Sequence, residues 1–289
     1  MHDNPQPTAD TVFALPGYRL ITLEGRDAAA FAQAQFMNDV ALLEPGQWQW
    51  SGWLTPKGRV IALFALLKRS DEAVWLVLPD ADAAALAAAL QRFVFRSKVR
   101  IQVREDLYAS GRFGAPVAAS GANFTGDEDA GFELDVGSIN APRTLSLSRA
   151  TVSHDEAAAA TWHAYDLEHG LPRLPASQVE HWTPQQLSLD RLRAFSVKKG
   201  CYPGQEIVAR THFLGQAKRG LVLLAADAAL EPGQDVTAGS VAMGKVVASA
   251  VDGARHLALA VMPLERDAVA LGVNGAPVTE RALREGLAR

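Results

Sequence analysis

Between Lys198 and Glu206 the chain reads Lys198-Lys-Gly-Cys-Tyr-Pro-Gly-Gln-Glu206, and this segment holds the single cysteine of the 289 residues. The thiolate is the reactive form of cysteine, and neighbouring ammonium groups favour it. Lys198 and Lys199 are therefore placed to raise the reactivity of Cys201. Gly200 and Gly204 let backbone come close to a ligand or adopt positive φ. The competing use of a lone cysteine is as a small buried hydrophobe. Charged and glycine neighbours are poor company for a core filler, and Ile207-Val208-Ala209 just downstream supply apolar surface without it.

A second chemical group stands at the end of a helix. Ser153-His-Asp-Glu156 reads as a capping-box start, and the helix it opens runs to Glu168 or His169, where Gly170 and Pro172 stop it. Glu168 shares a stripe with apolar and aromatic groups such as Tyr165, at a helix terminus whose dipole an acid opposes, so its carboxylate needs a partner. His212 is near enough to Cys201 in sequence to be tested as a base. Gly239-Ser-Val-Ala-Met-Gly-Lys-Val246 nearly matches a phosphate-binding loop. Val246 stands where a magnesium-binding hydroxyl is needed, and no helix follows, so the match is set aside.

Around these groups the pattern is strand, helix, several strands, helix, strand. Tyr18–Glu24 alternates like a half-buried strand, and Asp27 is expected to cap a helix carrying Phe31 and Phe36. Gln47–Ser51 and Arg59–Leu67 form two strands joined by a turn at Thr55-Pro-Lys-Gly58, and Val74–Leu78 is a third. An alanine-rich helix opens at Pro79-Asp80 with Leu86, Leu90 and Phe93 at helical spacing, and Lys98–Arg104 closes the unit as a strand. This order favours an α+β fold over a doubly wound sheet. From Gly111 to Asp135 the glycine and acid content indicates a loop-heavy second unit. After Gly220 come short strands, with Asn274-Gly275 a hairpin signal, and these suggest a small β-barrel.

At 289 residues the chain exceeds one ordinary core, so two or three domains are expected. The divisions are 1–106, an N-terminal α+β unit, 107–218, a second α+β unit carrying the cysteine segment, and 219–289, the barrel. One cysteine excludes an intrachain disulfide, and the polar, proline-punctuated amino terminus lacks the regions of a signal peptide. No apolar run reaches bilayer length, and a cytoplasmic protein with no membrane partner is expected. A net charge of −4 argues against constitutive nucleic-acid binding. Locally the sign reverses: from Asp190 to Arg219 the bases Arg191, Arg193, Lys198, Lys199, Arg210, Lys218 and Arg219 face only Asp190 and Glu206. Such a run suits an anionic ligand.

The segment Lys199-Gly-Cys-Tyr-Pro-Gly-Gln-Glu206 resembles the signature of the YgfZ family, folate-binding relatives of the glycine-cleavage T-protein that support iron-sulfur enzymes and tRNA thiomodification. Weaker segments fall in the expected order: Gln33–Asp39, Pro56–Val60, Phe95–Val99, Pro184–Asp190 and Glu206–Arg210. The resemblance implies a multidomain T-protein-like fold of ferredoxin-like α+β units with a small C-terminal β-barrel. It implies tetrahydrofolate or another reduced folate as cofactor, with iron-sulfur enzymes as possible clients. Cys201 would be the essential thiol and Lys199 its electrostatic neighbour. Leu167-Glu-His-Gly170 looks like the element that binds the pterin ring, so Glu168 would anchor it, while Gly200, Tyr202, Gly204, Gln205, Glu206 and Arg210 would complete the site. The alternative is a folate-dependent aminomethyl transferase like the T-protein. It is disfavoured because T-proteins carry an acidic pair in the strand after the glycine-containing hairpin, and Val60–Phe64 here is uncharged.

Overall fold

The computed structural model describes residues 11–215 and 217–289. Strands β1 (Val12–Ala14) and β2 (Arg19–Glu24) lead into helix α1 (Ala28–Gln35), followed by β3 (Gln47–Leu54), β4 (Val60–Ser70), β5 (Ala73–Leu78), helix α2 (Ala83–Gln91) and β6 (Arg100–Arg104). Five of these strands form an antiparallel sheet in the order β3-β4-β5-β2-β6. Its two faces are both covered, which is why β4 reads as a continuous apolar run and not as an alternation. One face packs Ile21, Phe64, Leu66 and Leu76 against Phe31, Leu86 and Leu90 of the helices. The other packs Trp48, Leu63, Leu67 and Trp75 against the second sheet.

That second sheet comprises β7 (Tyr108–Arg112), β8 (Thr125–Asp127), β9 (Gly131–Asp135) and β10 (Thr144–Ser148), in the order β1-β7-β10-β9-β8. The stretch expected to be loop-heavy thus holds regular strands, because Phe132, Leu134, Leu145 and Leu147 alternate toward the shared core. β1 pairs with β7, so the chain crosses the expected division at 106 at its outset. Helix α3 (Glu156–Glu168) follows, and Trp162 packs edge-on against Phe13 at 5.8 Å. Helix α4 (Gln205–Leu214) precedes the barrel.

The barrel closes as β11-β14-β13-β12-β15-β16, formed from β11 (Arg219–Ala226), β12 (Asp235–Ala238), β13 (Val241–Asp252), β14 (Arg255–Pro263), β15 (Leu271–Val273) and β16 (Ala276–Arg281). Val222, Leu224, Val246, Ala260 and Met262 fill its interior. The alternate residues Leu221, Leu223, Val247 and Leu259 face out and join the main core. Asn274 and Gly275 both take positive φ, 50° and 80°, as a two-residue hairpin between twisted strands requires. The near phosphate-loop sequence lies across the β12–β13 turn and β13, with no helix after it.

Three helix starts differ from expectation. Asp27 makes no capping bond; its carboxylate accepts from the Lys98 amide at 2.7 Å and ties α1 to the start of β6. Asp82, not Asp80, caps α2, which ends before Phe93. Asp155, not Ser153, caps α3, accepting from the Ala158 amide at 3.0 Å. At α2 and α3 two cap-competent residues lie two positions apart, and tertiary demand selects one.

Candidate functional site: a clamped thiol loop and an arginine-lined cleft

The last turn of a helix leaves carbonyl groups without intrahelical donors. At the end of α1 these are met from far along the chain. Lys199 donates from Nζ to the carbonyls of Gln33 (2.6 Å), Phe36 (2.5 Å) and Asn38 (3.0 Å), and the ammonium lies 4.9 Å from the Tyr202 ring centroid. Lys199 is only 5% exposed. Burial pushes its amine down to about 8, while the Asp39 carboxylate opposes the shift. The carbonyl cage also favours the ammonium, since a neutral amine has only two N–H groups for three acceptors.

The rest of the loop is fastened in the same way. Asn38 donates to the carbonyls of Trp50 (2.8 Å) and Arg193 (2.7 Å), and the Ser196 amide donates to Met37. Ser196 Oγ accepts from the amides of Lys198 and Lys199, and its carbonyl accepts the Tyr202 hydroxyl at 3.1 Å. Burial pushes that hydroxyl up to about 12. Gln205 donates to the Lys199 carbonyl at 3.3 Å. Gly204 starts α4 at φ 80°; a Cβ there would stand 2.6 Å from the Thr55 carbonyl and 2.7 Å from Gly58 Cα, so the loop seats directly on the β3–β4 turn. Cys201 is exposed at the crest.

This geometry revises several expectations. Lys199 is not an outward-facing companion of the thiol; its charge is buried on main-chain carbonyls. Tyr202, Gly204 and Gln205 hold the loop's shape. Gly200 has open space around it and does not take positive φ, so nothing in the fold itself demands glycine there. Glu206 and Arg210 are exposed on α4, and no ion pair or side-chain hydrogen bond engages either of them among the described residues. His212 lies edge-on to Phe213 at 4.9 Å, and no hydrogen bond joins it to Cys201. Asp39 caps a 3-10 turn at Val40–Leu42.

Glu168 finds its partners in the barrel and the segment after it. Its two carboxylate oxygens pair with Arg255 (2.9 Å) and Arg284 (3.1 Å), and its carbonyl accepts the Arg284 amide. The carboxylate, 13% exposed, lines a cleft of about 590 Å³ together with Leu223, Leu257, Pro277 and Arg281. Among the described residues no hydrogen bond, ion pair or cleft lining joins Glu168 to the Cys201 loop. Glu168 and the cysteine loop are held by separate sets of partners. The basic run from Asp190 to Arg219 is likewise divided: Arg191 pairs with Glu285, Arg219 donates to the Met243 carbonyl and Lys199 is buried.

A buried network was not anticipated. Asp166, fully buried, bridges Arg143 and Arg173, and Arg173 continues to Asp80 beyond β5. The Arg143 guanidinium lies 4.2 Å from the Trp162 ring centroid and 4.0 Å from that of Tyr165. The available signal was an aspartate in the interior of the predicted α3, two residues before Glu168.

The fold and its closed barrel define a T-protein-like chain. It superposes on the glycine cleavage system aminomethyltransferase T of Bartonella henselae with a TM-score of 0.70 over 92% of this chain and 83% of that one, at 16% identity, a likeness of fold alone. In sequence it is 31% identical to the tRNA-modifying protein YgfZ of Vibrio vulnificus, over 76% of this chain and 71% of that protein. It is 30% identical to the YgfZ of Cronobacter sakazakii, over 78% and 75%. The chain belongs to the YgfZ family, as its cysteine segment indicates. No family model matches it.

Proposed function

We propose that this protein is a folate-binding accessory factor that supports iron-sulfur cluster assembly or repair and the tRNA modification that depends on it. The observation that carries the reading is the sole cysteine held exposed on an immobilised loop, in a chain whose relatives are named for tRNA modification. A single thiol falls short of the four typical of a protein-held cluster, so the role is exerted on client enzymes. A lone reduced thiol also suits the cytoplasm.

The Glu168 cleft fits a reduced folate. Its volume lies in the range of small-molecule sites, its lining mixes apolar side chains with arginines, and each Glu168 oxygen uses one lone pair on an arginine and keeps another. Glu168 would accept N–H groups of the pterin, and Arg281 would meet a glutamyl carboxylate. A bound reduced folate would supply a one-carbon-carrying nitrogen pair; the chain's own part is to bind and orient it. Aminomethyl transfer is not part of the proposal, since β4, the strand that by the family resemblance would carry the acidic pair, holds no carboxylate.

The test is calorimetric titration with tetrahydrofolate, combined with assays of iron-sulfur enzymes in a strain lacking the protein. Saturable binding together with a deficit restored by the gene is expected. Absence of binding removes the cofactor from the proposal. Turnover of an aminomethylated lipoyl carrier above the uncatalysed rate would favour the transferase instead.

A further inference from the structure

We infer that Lys199 is a positioning residue whose buried amine, bonded to three main-chain carbonyls at the end of α1, holds residues 196–204 so that Cys201 is presented in one orientation. The inference rests on the proposed function only in treating Cys201 as the working group. The loop has few other deep anchors. Cys201 is exposed, a Cβ at Gly200 would stand in open space, and Pro203 is half-buried, so the backbone on either side of the thiol is held by Lys199, by Tyr202 on Ser196 and by Gly204 on the β3–β4 turn. Of these, Lys199 alone reaches a different element through its side chain, and it makes three bonds there. Two of its acceptors, Gln33 and Phe36, belong to the end of α1. The third, Asn38, also grips Arg193 and Trp50, so one ammonium couples the loop, α1 and β3. Lysine suits this task because its point charge on a flexible stem satisfies three carbonyls that a planar guanidinium cannot all reach.

The sole cysteine allows a direct test on the whole protein. An iodoacetamido nitroxide attached to Cys201 reports loop order through its spectral line shape. At neutral pH one ordered component is expected. Lys199→Met should raise the mobile fraction about tenfold, the scale set by losing charged hydrogen bonds. Lys218→Met, which removes an exposed cation outside the loop, should leave the line shape unchanged. The unmutated protein provides a second route should the methionine variant not fold. The titratable groups facing Lys199 are Asp39 and Tyr202, and the tyrosine hydroxyl, at about 12, stays protonated through the alkaline window. Deprotonation of the amine leaves three acceptors to two donors, so mobility should grow as pH rises through about 8 and above. That rise should vanish in Lys199→Met. An ordered label in the variant, or a flat pH response in the unmutated protein, overturns the inference. Full complementation by Cys201→Ser would instead defeat the proposed function and leave the mobility result standing.

Discussion

The Cys201 loop and the Glu168 cleft use charge in opposite senses. In the loop the cation is buried and satisfied by neutral carbonyls, while the Cys201 thiol stands exposed. In the cleft the anion is nearly buried while the cations that hold it, Arg255 and Arg284, are themselves more than half exposed. Charge meets main-chain carbonyls in the first place and stays in contact with solvent in the second. The difference teaches that a lysine two positions from a thiol can place its charge on main-chain carbonyls of another element.

The largest expected effect separates the two regions outright. Cys201→Ser should restore no iron-sulfur enzyme activity in a deletion strain, while its tetrahydrofolate affinity stays within about twofold, the tolerance for sites that share no partners. Affinity falling along with activity would show that the thiol and the cleft form one site.

Next comes stability. Asp166→Ala should destabilise the protein by about 3 to 5 kcal/mol, because it strands two buried or nearly buried guanidinium groups. Glu168→Ala breaks pairs to exposed arginines and should cost about 1 kcal/mol or less. Denaturant unfolding of both variants measures the contrast, and equal losses would mean that the cleft ion pairs are structural after all. In binding the ranking inverts. Glu168→Ala should lose about 1.5 to 3 kcal/mol of tetrahydrofolate affinity, roughly ten- to a hundredfold, whereas an unchanged isotherm would detach the cofactor from this cleft.

A pH dependence that lies outside the Cys201 loop comes last. Burial lowers the folded-state pKa of His163 and His169 below the ordinary value of 6.5. A depressed folded value means that the unfolded chain binds more protons as pH falls. The stability these groups contribute is therefore present above 6.5 and lost below it, at no more than about 1.4 kcal/mol per pH unit for each histidine. Thermal unfolding from pH 7.5 to 5 reads the slope, and His163→Phe should flatten it. The loop's nitroxide signal, which depends on Lys199, should not move in this acid range.

Much of the fold was legible because its cause is local. The alternation in β2 and β6, the apolar run of β4 and the Asn274-Gly275 turn each record a period or a dihedral preference in adjacent residues. What stayed hidden was decided across long separations. Lys199 reaches Gln33, Arg255 and Arg284 reach Glu168, and β1 finds β7 nearly a hundred residues later. Cys201 was visible as chemistry and Glu168 as an acid needing a partner. The identity of each partner depends on tertiary geometry, which neither composition nor spacing carries.

The sheet topology also governs how copies of this chain meet one another. A closed barrel offers no open edge, but the other two sheets have ends where a foreign strand could add. Each end is blunted. β6 places Arg100 and Arg104 at its two ends, β1 and β8 are three residues long, and β3 is overlaid by the loop at 122–123 through the Trp48 amide and Gln47. A protein that displays a lone thiol thus gives its neighbours little purchase for intermolecular strand addition, and crowding two copies together brings charge and short edges, not a growing sheet, into contact.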